Sequence, residues 1–425
     1  MNAINPRRGQ HLTKAERRRF RPPFPLPLTG AVLARLGHRL LDRIDARLES
    51  GRLEAWLPDG TFRVLGGREG GWVCEVRLRD WRALARLVSG GSVGWYRAWE
   101  LGEWSSPAPE RLFALFMANG RSLGGVARSH GPLRWTMRAV HWLRRNSRTG
   151  ARRNIAAHYD LGNDFYRVWL DAAMNYSSAL FDDPEHPDEG LAAAQNAKND
   201  AILDRLGLKG GQRLLEIGCG WGALAERALD RADIDYDGIT LSHEQAAWAR
   251  TRLPRHRAAI YLRDYRDMRG QYDAIASIEM VEAVGQRYWP DYVSAIHGLL
   301  KSGGRAVVQY ISIDDALFDR YAHSADFIQT YIFPGGMLIS ESRLRALVEE
   351  AGLEWRDQRS FGQHYATTLR LWRARFDAAV DEGRLPRAFD EKFVKLWRYY
   401  LMYCEGGFMG GGIDVAQVTL VKPRA

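Results

Sequence analysis

Leu214-Leu215-Glu216-Ile217-Gly218-Cys219-Gly220-Trp221-Gly222 reads as a strand running into a loop of alternating glycines, with a short helix from Ala223 to Leu229 behind it. Glycines let the backbone turn sharply and approach a ligand more closely than a side chain would allow. In an open α/β sheet this strand–loop–helix places the turn at the carboxyl end of a strand, where such folds bind cofactors. The spacing Gly218-x-Gly220-x-Gly222 is not the G-x-G-x-x-G of a dinucleotide fold. A glycine turn with no ligand is the plain alternative.

Working outward, strand and helix patterns alternate. Strands are expected at Arg213–Ile217, Tyr236–Thr240, Ala259–Leu262, Tyr272–Ile278 and Arg305–Ile313. Helices are expected at Leu224–Leu229, His243–Leu253, Tyr288–Leu300 and Ser342–Glu350. A helical pair, Leu369–Glu382 and Pro386–Met402, precedes a last strand from Ile413 to Lys422. The alternation predicts a mostly parallel sheet covered on both faces.

The 425 residues are long for one core, so two domains are expected. Residues 1–28 are basic and proline-rich and read as a loosely ordered tail. Residues 29–130 read as a smaller α+β domain, with a helix over Ala31–Leu48, short strands around Pro58-Asp59-Gly60 and a helical stretch from Trp81 to Val88. Residues 131–153 form a basic linker, and 154–425 the alternating domain. The aromatics Trp95, Tyr96, Trp99 and Trp104 suit a core more than a site, with a groove for an acyl chain as the functional option. Glu405 and the glycines from Gly406 to Gly412 suggest a segment that moves as substrate enters, or a plain flexible loop.

Sixty-one Lys and Arg against 51 Asp and Glu give a formal charge of +10, which calls for a polyanionic partner. Arginines cluster in the N-terminal tail and again from Arg138 to Arg153, where Trp135, His141 and Trp142 interleave with them. Rings beside cations suit an anionic membrane surface; a solvated flexible segment explains the extreme N-terminus equally well. No nucleic-acid-binding motif is present, so nucleic acid is not expected as a partner. No apolar run approaches the ~20 residues that span a bilayer, and no apolar stretch follows the N-terminal arginines as in a secretory signal. The three cysteines, Cys74, Cys219 and Cys404, point to a reducing cytoplasm and lack zinc-site spacing, so no metal is expected.

Several further runs carry a resemblance. They are His158-Tyr159-Asp160-Leu161-Gly162-Asn163-Asp164-Phe165-Tyr166, Met174-Asn175-Tyr176-Ser177-Ser178, Thr240-Leu241-Ser242-x-x-Gln245, Met280-Val281-Glu282-Ala283-Val284-Gly285, Tyr331-Ile332-Phe333-Pro334-Gly335-Gly336 and Tyr399-Tyr400-Leu401-x-x-Cys404. With the E-x-G-x-G-x-G loop, and in this order over about 270 residues, they resemble the cyclopropane-fatty-acyl-phospholipid synthases and their mycolic-acid methyltransferase relatives. The resemblance implies a class I, Rossmann-like methyltransferase fold with a mostly parallel seven-stranded sheet and helical insertions. The first 150 residues resemble the family's lipid-facing accessory domain only in Leu57-Pro58-Asp59-Gly60 and the Gly91–Gly94 run.

The implied chemistry is demanding. The π bond of an unsaturated acyl chain attacks a sulfonium methyl, and a carbocation forms on an apolar chain. The site must exclude water and stabilise positive charge without offering a nucleophile. Aromatic faces do this; Tyr176, Tyr331, Phe333, Tyr365 and Tyr400 are candidates. A base then removes one proton. Its origin decides between a cyclopropane and a methylene- or methyl-branched chain.

By position, the resemblance implies that Tyr176 and Ser177 cap the methionine end of S-adenosylmethionine and that Gly218, Gly220 and Gly222 pass beneath it. Thr240, Leu241 and Gln245 would lie near the ribose, and Asp264 and Tyr265 beside the adenine. Asp237 comes too early in its strand for the ribose, and a solvated helix residue is the alternative for Gln245. The family's bicarbonate base would be held by positions matching Ser178, Glu282, Gln309, the Ile311 backbone and Tyr365. The family commonly has cysteine at Ser178 and histidine at Gln309, so bicarbonate use is in doubt. Without it, Glu282 is the expected protein base if burial raises its pKa; a carboxylate capping the helix near Gln286 is the alternative. Cys404 matches the family's active-site cysteine, but no histidine or lysine adjoins it to favour a thiolate. A wall of the acyl channel is its expected role.

The expected function is methyl transfer from S-adenosylmethionine to an unsaturated acyl chain of a phospholipid, giving a cyclopropane. Branched products or a small-molecule N- or C-methyltransferase are the alternatives, and a non-enzymatic lipid-binding protein is a third. The expected setting is a cytoplasmic enzyme bound peripherally to the inner membrane surface, with a homodimer among its possible assemblies.

Overall fold

The computed structural model describes residues 8–13, 30–124, 161–323 and 326–424. The basic linker, most of the N-terminal tail and the His158-Tyr159-Asp160 part of the motif lie outside these residues.

After a single helical turn at Gln10–Thr13 come α1 (Gly30–Asp45), β1 (Ser50–Trp56), β2 (Phe62–Gly66), β3 (Glu69–Leu78), α2 (Arg82–Glu100), β4 (Trp104–Ser105) and α3 (Pro109–Ala118). After residue 161 come α4 (Gly190–Leu206), β5 (Arg213–Ile217), α5 (Ala223–Arg231), β6 (Asp235–Thr240), α6 (His243–Arg252), β7 (Ala258–Leu262) and β8 (Tyr272–Ile278). They continue with α7 (Val281–Val284), α8 (Trp289–Leu299), β9 (Leu300–Ile313), α9 (Asp315–Ala322), α10 (Glu341–Glu350), β10 (Glu354–Ser360), α11 (Gly362–Asp381), α12 (Glu391–Met409) and β11 (Ile413–Val421).

The expected single cut near residue 150 is not how the chain packs. One compact unit joins the N-terminal elements to Ala316–Pro334 and Arg387–Ile413; the other takes the described residues from 161 to Asp315, Gly335–Pro386 and Asp414 onward. The physical reason lies in the glycine run of α12. A Cβ at Gly406 would sit 2.4 Å from the Glu110 carbonyl oxygen, and one at Gly410 would sit 2.5 Å from that of Ala114, so α12 lies directly against the backbone of α3. Glu405 to Met409 are therefore helical, with Glu405 to Phe408 buried, and the expected moving segment is a packing surface instead.

The first unit contains a sheet of order β2-β1-β3-β4, in which β1 pairs antiparallel with β2 and parallel with β3. Helix α2 runs beyond the expected Val88 to Glu100, with a kink at Gly91 where φ is 56°. Trp95, Tyr96 and Trp104 are core, and Trp99 is half-buried. Trp104 stacks on Trp95 with centroids 4.4 Å apart, and its indole N–H donates to the Trp95 carbonyl at 2.9 Å. Tyr96 packs against Phe327, Tyr331 and Tyr399 at 4.9–5.0 Å.

The second unit holds a seven-stranded sheet of order β10-β11-β9-β8-β5-β6-β7. Strands β9, β8, β5, β6 and β7 pair in parallel, and β10 runs antiparallel to β11. Buried positions of α4, α5 and α6 (Ile202, Leu224, Ala225, Ala246, Ala249) pack on Leu214, Tyr236, Ile260, Ala274 and Val307 of the sheet. From β5 the chain moves outward one way through β6 and β7, then returns to β8 on the other side. The order reverses between β5 and β8, which opens a crevice at the carboxyl ends of those strands.

Candidate active site

The glycine loop leaves β5 at this crevice. Gly218, Gly220 and Gly222 all have positive φ (86°, 50° and 84°), the conformation that favours glycine. A Cβ on Gly218 would strike the Met280 side chain at 2.4 Å, while one on Gly220 would meet nothing within 4 Å. The loop is thus tight against the protein at its first glycine and open at its second. That is a cradle a ligand can fill.

The proposed ribose contacts come together at the end of β6. The Thr240 hydroxyl donates to Gln245 Oε1 at 2.7 Å, and Ser242 caps α6 by accepting from the Gln245 N–H. Gln245 is buried rather than solvated, and the bond to its carbonyl leaves its NH2 group to donate elsewhere. Leu241 sits between them, half-buried. Asp237 accepts from Arg213 and from the Tyr272 hydroxyl, so it is engaged away from the crevice. Asp264 and Tyr265 are both buried; the Asp264 carboxylate accepts from Arg266 at 2.6 and 2.8 Å, and Tyr265 packs edge-on to Tyr292.

The segment before Ser178 is held by its own turn and by α4. Asp171 accepts from the Asn175 backbone at 2.7 Å and from its amide at 3.0 Å. Gln195 donates to the Ser177 carbonyl at 2.8 Å, and Lys198 donates to the Ser177 hydroxyl at 2.9 Å. Tyr176 lies in a ring cluster with Tyr166, Trp169 and Trp372 at 5.4–5.6 Å.

The residues that the resemblance assigns to bicarbonate do converge, and the chain supplies a carboxylate between them. Glu279 Oε1 accepts from the Ser178 N–H at 2.9 Å and from Gln309 Nε2 at 2.8 Å; Oε2 accepts from the Tyr365 hydroxyl at 2.7 Å. Glu279 has φ 51°, unusual for a residue with a side chain, which suits a backbone bent to serve a site. The donors expected for bicarbonate are therefore used by Glu279, and the donor set does not fit that ion. The Ile311 N–H, expected in the same role, donates to Glu282 Oε1.

Electrostatics separate the two glutamates. Burial, reinforced by the charge of Glu279, pushes Glu282 up to about 8, so it carries a proton at neutral pH. Burial raises Glu279 as well, but bonds from Tyr365, Ser178 and Gln309 and the cation of Lys198 oppose it. The rise expected of Glu282 from burial is present, and Glu279 differs from it in the donors that oppose the same effect. Nor does Glu282 cap the helix near Gln286; it lies in α7 and binds β9.

Cys404 belongs to the first unit, on α12. Burial, and after it the charge of Asp326, raises its thiol far above the ordinary range. That leaves it a packing residue. Tyr331, Phe333 and Tyr400 belong to the same unit, Tyr176 and Tyr365 to the other. Among the described residues no group of three or more His, Cys, Asp and Glu could hold a metal.

Glu279 and Lys198 were missed by sequence reasoning. Glu279 had a signal, a second carboxylate three residues before Glu282 at the end of a strand. Lys198 had a fainter one, a charge among Leu191, Ala194, Ile202 and Leu206 on the buried face of α4.

The family description "Mycolic acid cyclopropane synthetase" matches residues 146–418. The chain is 40% identical over 361 residues to the tuberculostearic acid methyltransferase UfaA1 of Mycobacterium tuberculosis, covering 80% of this chain and 81% of that protein. It is 32% identical over 352 residues to the cyclopropane-fatty-acyl-phospholipid synthase of Escherichia coli K12, covering 82% and 88%. Among solved structures, mycolic acid cyclopropane synthase CmaA1 complexed with SAH and CTAB superposes with a TM-score of 0.59 at 33% identity, covering 64% of this chain and 98% of that one. With the seven-stranded sheet and the glycine cradle, these likenesses place the chain in the mycolic acid cyclopropane synthetase family, as an S-adenosylmethionine-dependent methyltransferase.

Proposed function

We propose that this enzyme methylates the double bond of an unsaturated acyl chain in a phospholipid and that Glu279 is the base that ends the reaction. The observation that carries the reading is the partly buried Glu279 carboxylate held by Ser178, Gln309 and Tyr365. When bound, S-adenosylmethionine supplies an electrophilic methyl group. The residues of the glycine loop, Ser177, Thr240, Leu241 and Gln245 hold and orient it, with Asp264 and Tyr265 along the adenine. Tyr176 and Tyr365 offer ring faces to the cation that forms on the acyl chain. Glu282, protonated, presents no second negative charge to trap that cation.

Glu279 then accepts a proton from the transferred methyl. If the cation still lies on the neighbouring chain carbon, the released electron pair closes a cyclopropane. If a hydride has first shifted to that carbon, the cation lies on the methyl-bearing carbon and the same pair forms a methylene branch. We favour the branched product. Glu279, Ser178 and Gln309 together depart from the bicarbonate arrangement implied for ring closure, and a relative 40% identical is named for a methyl-branched acid. Ring closure is the second reading, favoured by the name of the E. coli relative.

Purified protein, methyl-labelled S-adenosylmethionine and vesicles of monounsaturated phospholipid test this directly. Label should enter the acyl chain, and mass analysis after mild hydrogenation separates a reduced branch from a surviving ring. Glu279→Gln should lower turnover at least ~100-fold, the scale of a lost general base, with S-adenosylhomocysteine affinity retained. Label entering only free amines, or a fully active E279Q, would overturn the reading.

A further inference from the structure

Lys198 is a cation in an expensive place. It lies on α4 with 1% of its surface exposed, and an ammonium so buried needs a reason to stay charged. The charged groups that face it are Glu279 after β8, Asp171 in the loop before Ser178, and Glu216 on β5. Its hydrogen bond runs to a neutral atom, the Ser177 hydroxyl, at 2.9 Å.

That bond has a consequence for Ser177. An ammonium only donates, so Ser177 Oγ must accept, and its own O–H is left to donate to something else. Among the described residues no acceptor for that O–H is recorded. The segment is anchored where it stands, because Gln195 of α4 holds the Ser177 carbonyl at 2.8 Å and Asn199 binds Asn175 two residues before it at 3.3 Å. The result is a hydroxyl that accepts from a cation and keeps its own proton for a further acceptor.

We infer that Lys198 is a positioning residue for the methyl donor, acting through Ser177 to bind the carboxylate of the cofactor's methionine half. This rests on the reading that Ser177 caps that half. The Ser177 O–H donates to a carboxylate oxygen, and Lys198 both fixes the direction of the bond and complements its charge. Burial lowers the Lys198 ammonium to about 8, against the pull of Glu279, Asp171 and Glu216, so carboxylate binding weakens as pH rises through that value.

The test compares two ligands on the full chain by calorimetry: S-adenosylhomocysteine, which has the carboxylate, and 5′-methylthioadenosine, which lacks the amino-acid half. K198M should weaken S-adenosylhomocysteine by about 10-fold or more, the scale of a charge-assisted hydrogen bond, and leave 5′-methylthioadenosine within about twofold. S177A should do the same, and the double variant should be no worse than S177A. K198R, which keeps the charge, should recover part of the loss, and thermal unfolding reports whether each variant is folded. A K198M with wild-type affinity for S-adenosylhomocysteine overturns the role of Lys198. Equal loss of both ligands overturns it too, because that marks a structural residue. An S177A that binds both ligands normally would instead sink the placement of Ser177 itself.

Discussion

Glu279 and Glu282 show how much one residue's surroundings decide. Both are partly buried carboxyls three positions apart, yet Glu279 accepts from two side chains and a backbone N–H while Glu282 accepts from backbone N–H groups alone. Burial and the neighbouring charge of Glu279 favour the protonated form of Glu282. Its pKa of about 8 lies above the ordinary 4.5, so the folded state holds that proton more tightly than the unfolded chain does. The associated stability is complete below the unfolded value and is lost as pH rises through the folded one. Glu282→Gln cannot ionise and escapes the loss. Its melting temperature relative to wild type should therefore rise between pH 6 and pH 9, by roughly a few degrees for a protein of this size. Thermal scans at the two pH values check this, and a constant difference would show that Glu282 already ionises at pH 6.

Among the elements, α12 was legible from its apolar period only as far as Met402, because a run of glycines ordinarily weakens a helix. Packing against α3 overrides that preference. Two glycine substitutions separate the effects. Gly298→Ala on α8 adds a Cβ with nothing within 4 Å and should stabilise by about 0.5–1 kcal/mol through helix propensity alone. Gly406→Ala gains the same propensity but drives its Cβ to 2.4 Å from the Glu110 carbonyl, a backbone atom that cannot rotate aside. Overpacking costs about 1–3 kcal/mol, so the net change should be destabilising. Denaturant titration of both variants measures the pair. Strand β10 was missed for a different reason: its residues Glu354, Arg356, Asp357 and Arg359 alternate no apolar face. It is an edge strand, with a bulge between Arg356 and Arg359 where Asp357 takes φ 51°, and charges at an edge discourage further pairing.

For the molecule as a whole, the excess of ten positive charges is a statement about partners rather than fold. No helix among the described residues is long and apolar enough to cross a membrane. We propose that the enzyme meets acyl chains at the surface of an anionic bilayer and that its arginines provide the attraction. Binding to vesicles rich in anionic phospholipid should fall several-fold between about 50 and 500 mM salt, as screening shortens the reach of surface charge. Binding to zwitterionic vesicles should be weak throughout. Cosedimentation measures both, and indifference to salt and headgroup would remove the electrostatic role.

By itself the sequence determined the alternating sheet, the glycine cradle after β5 and the membership of the chain in a methyltransferase family. Those features are local: a hydrophobic period, a glycine spacing and a run of ordered motifs are each read within a few residues. Only the tertiary structure showed which carboxyl gathers the donors of Ser178, Gln309 and Tyr365. Ser178 and Tyr365 stand 101 and 86 residues from Glu279 along the chain, and a hydrogen bond across such distances exists only once β8, β9 and α11 have packed. The same holds for Lys198, whose charge has meaning only because folding buries it against Ser177.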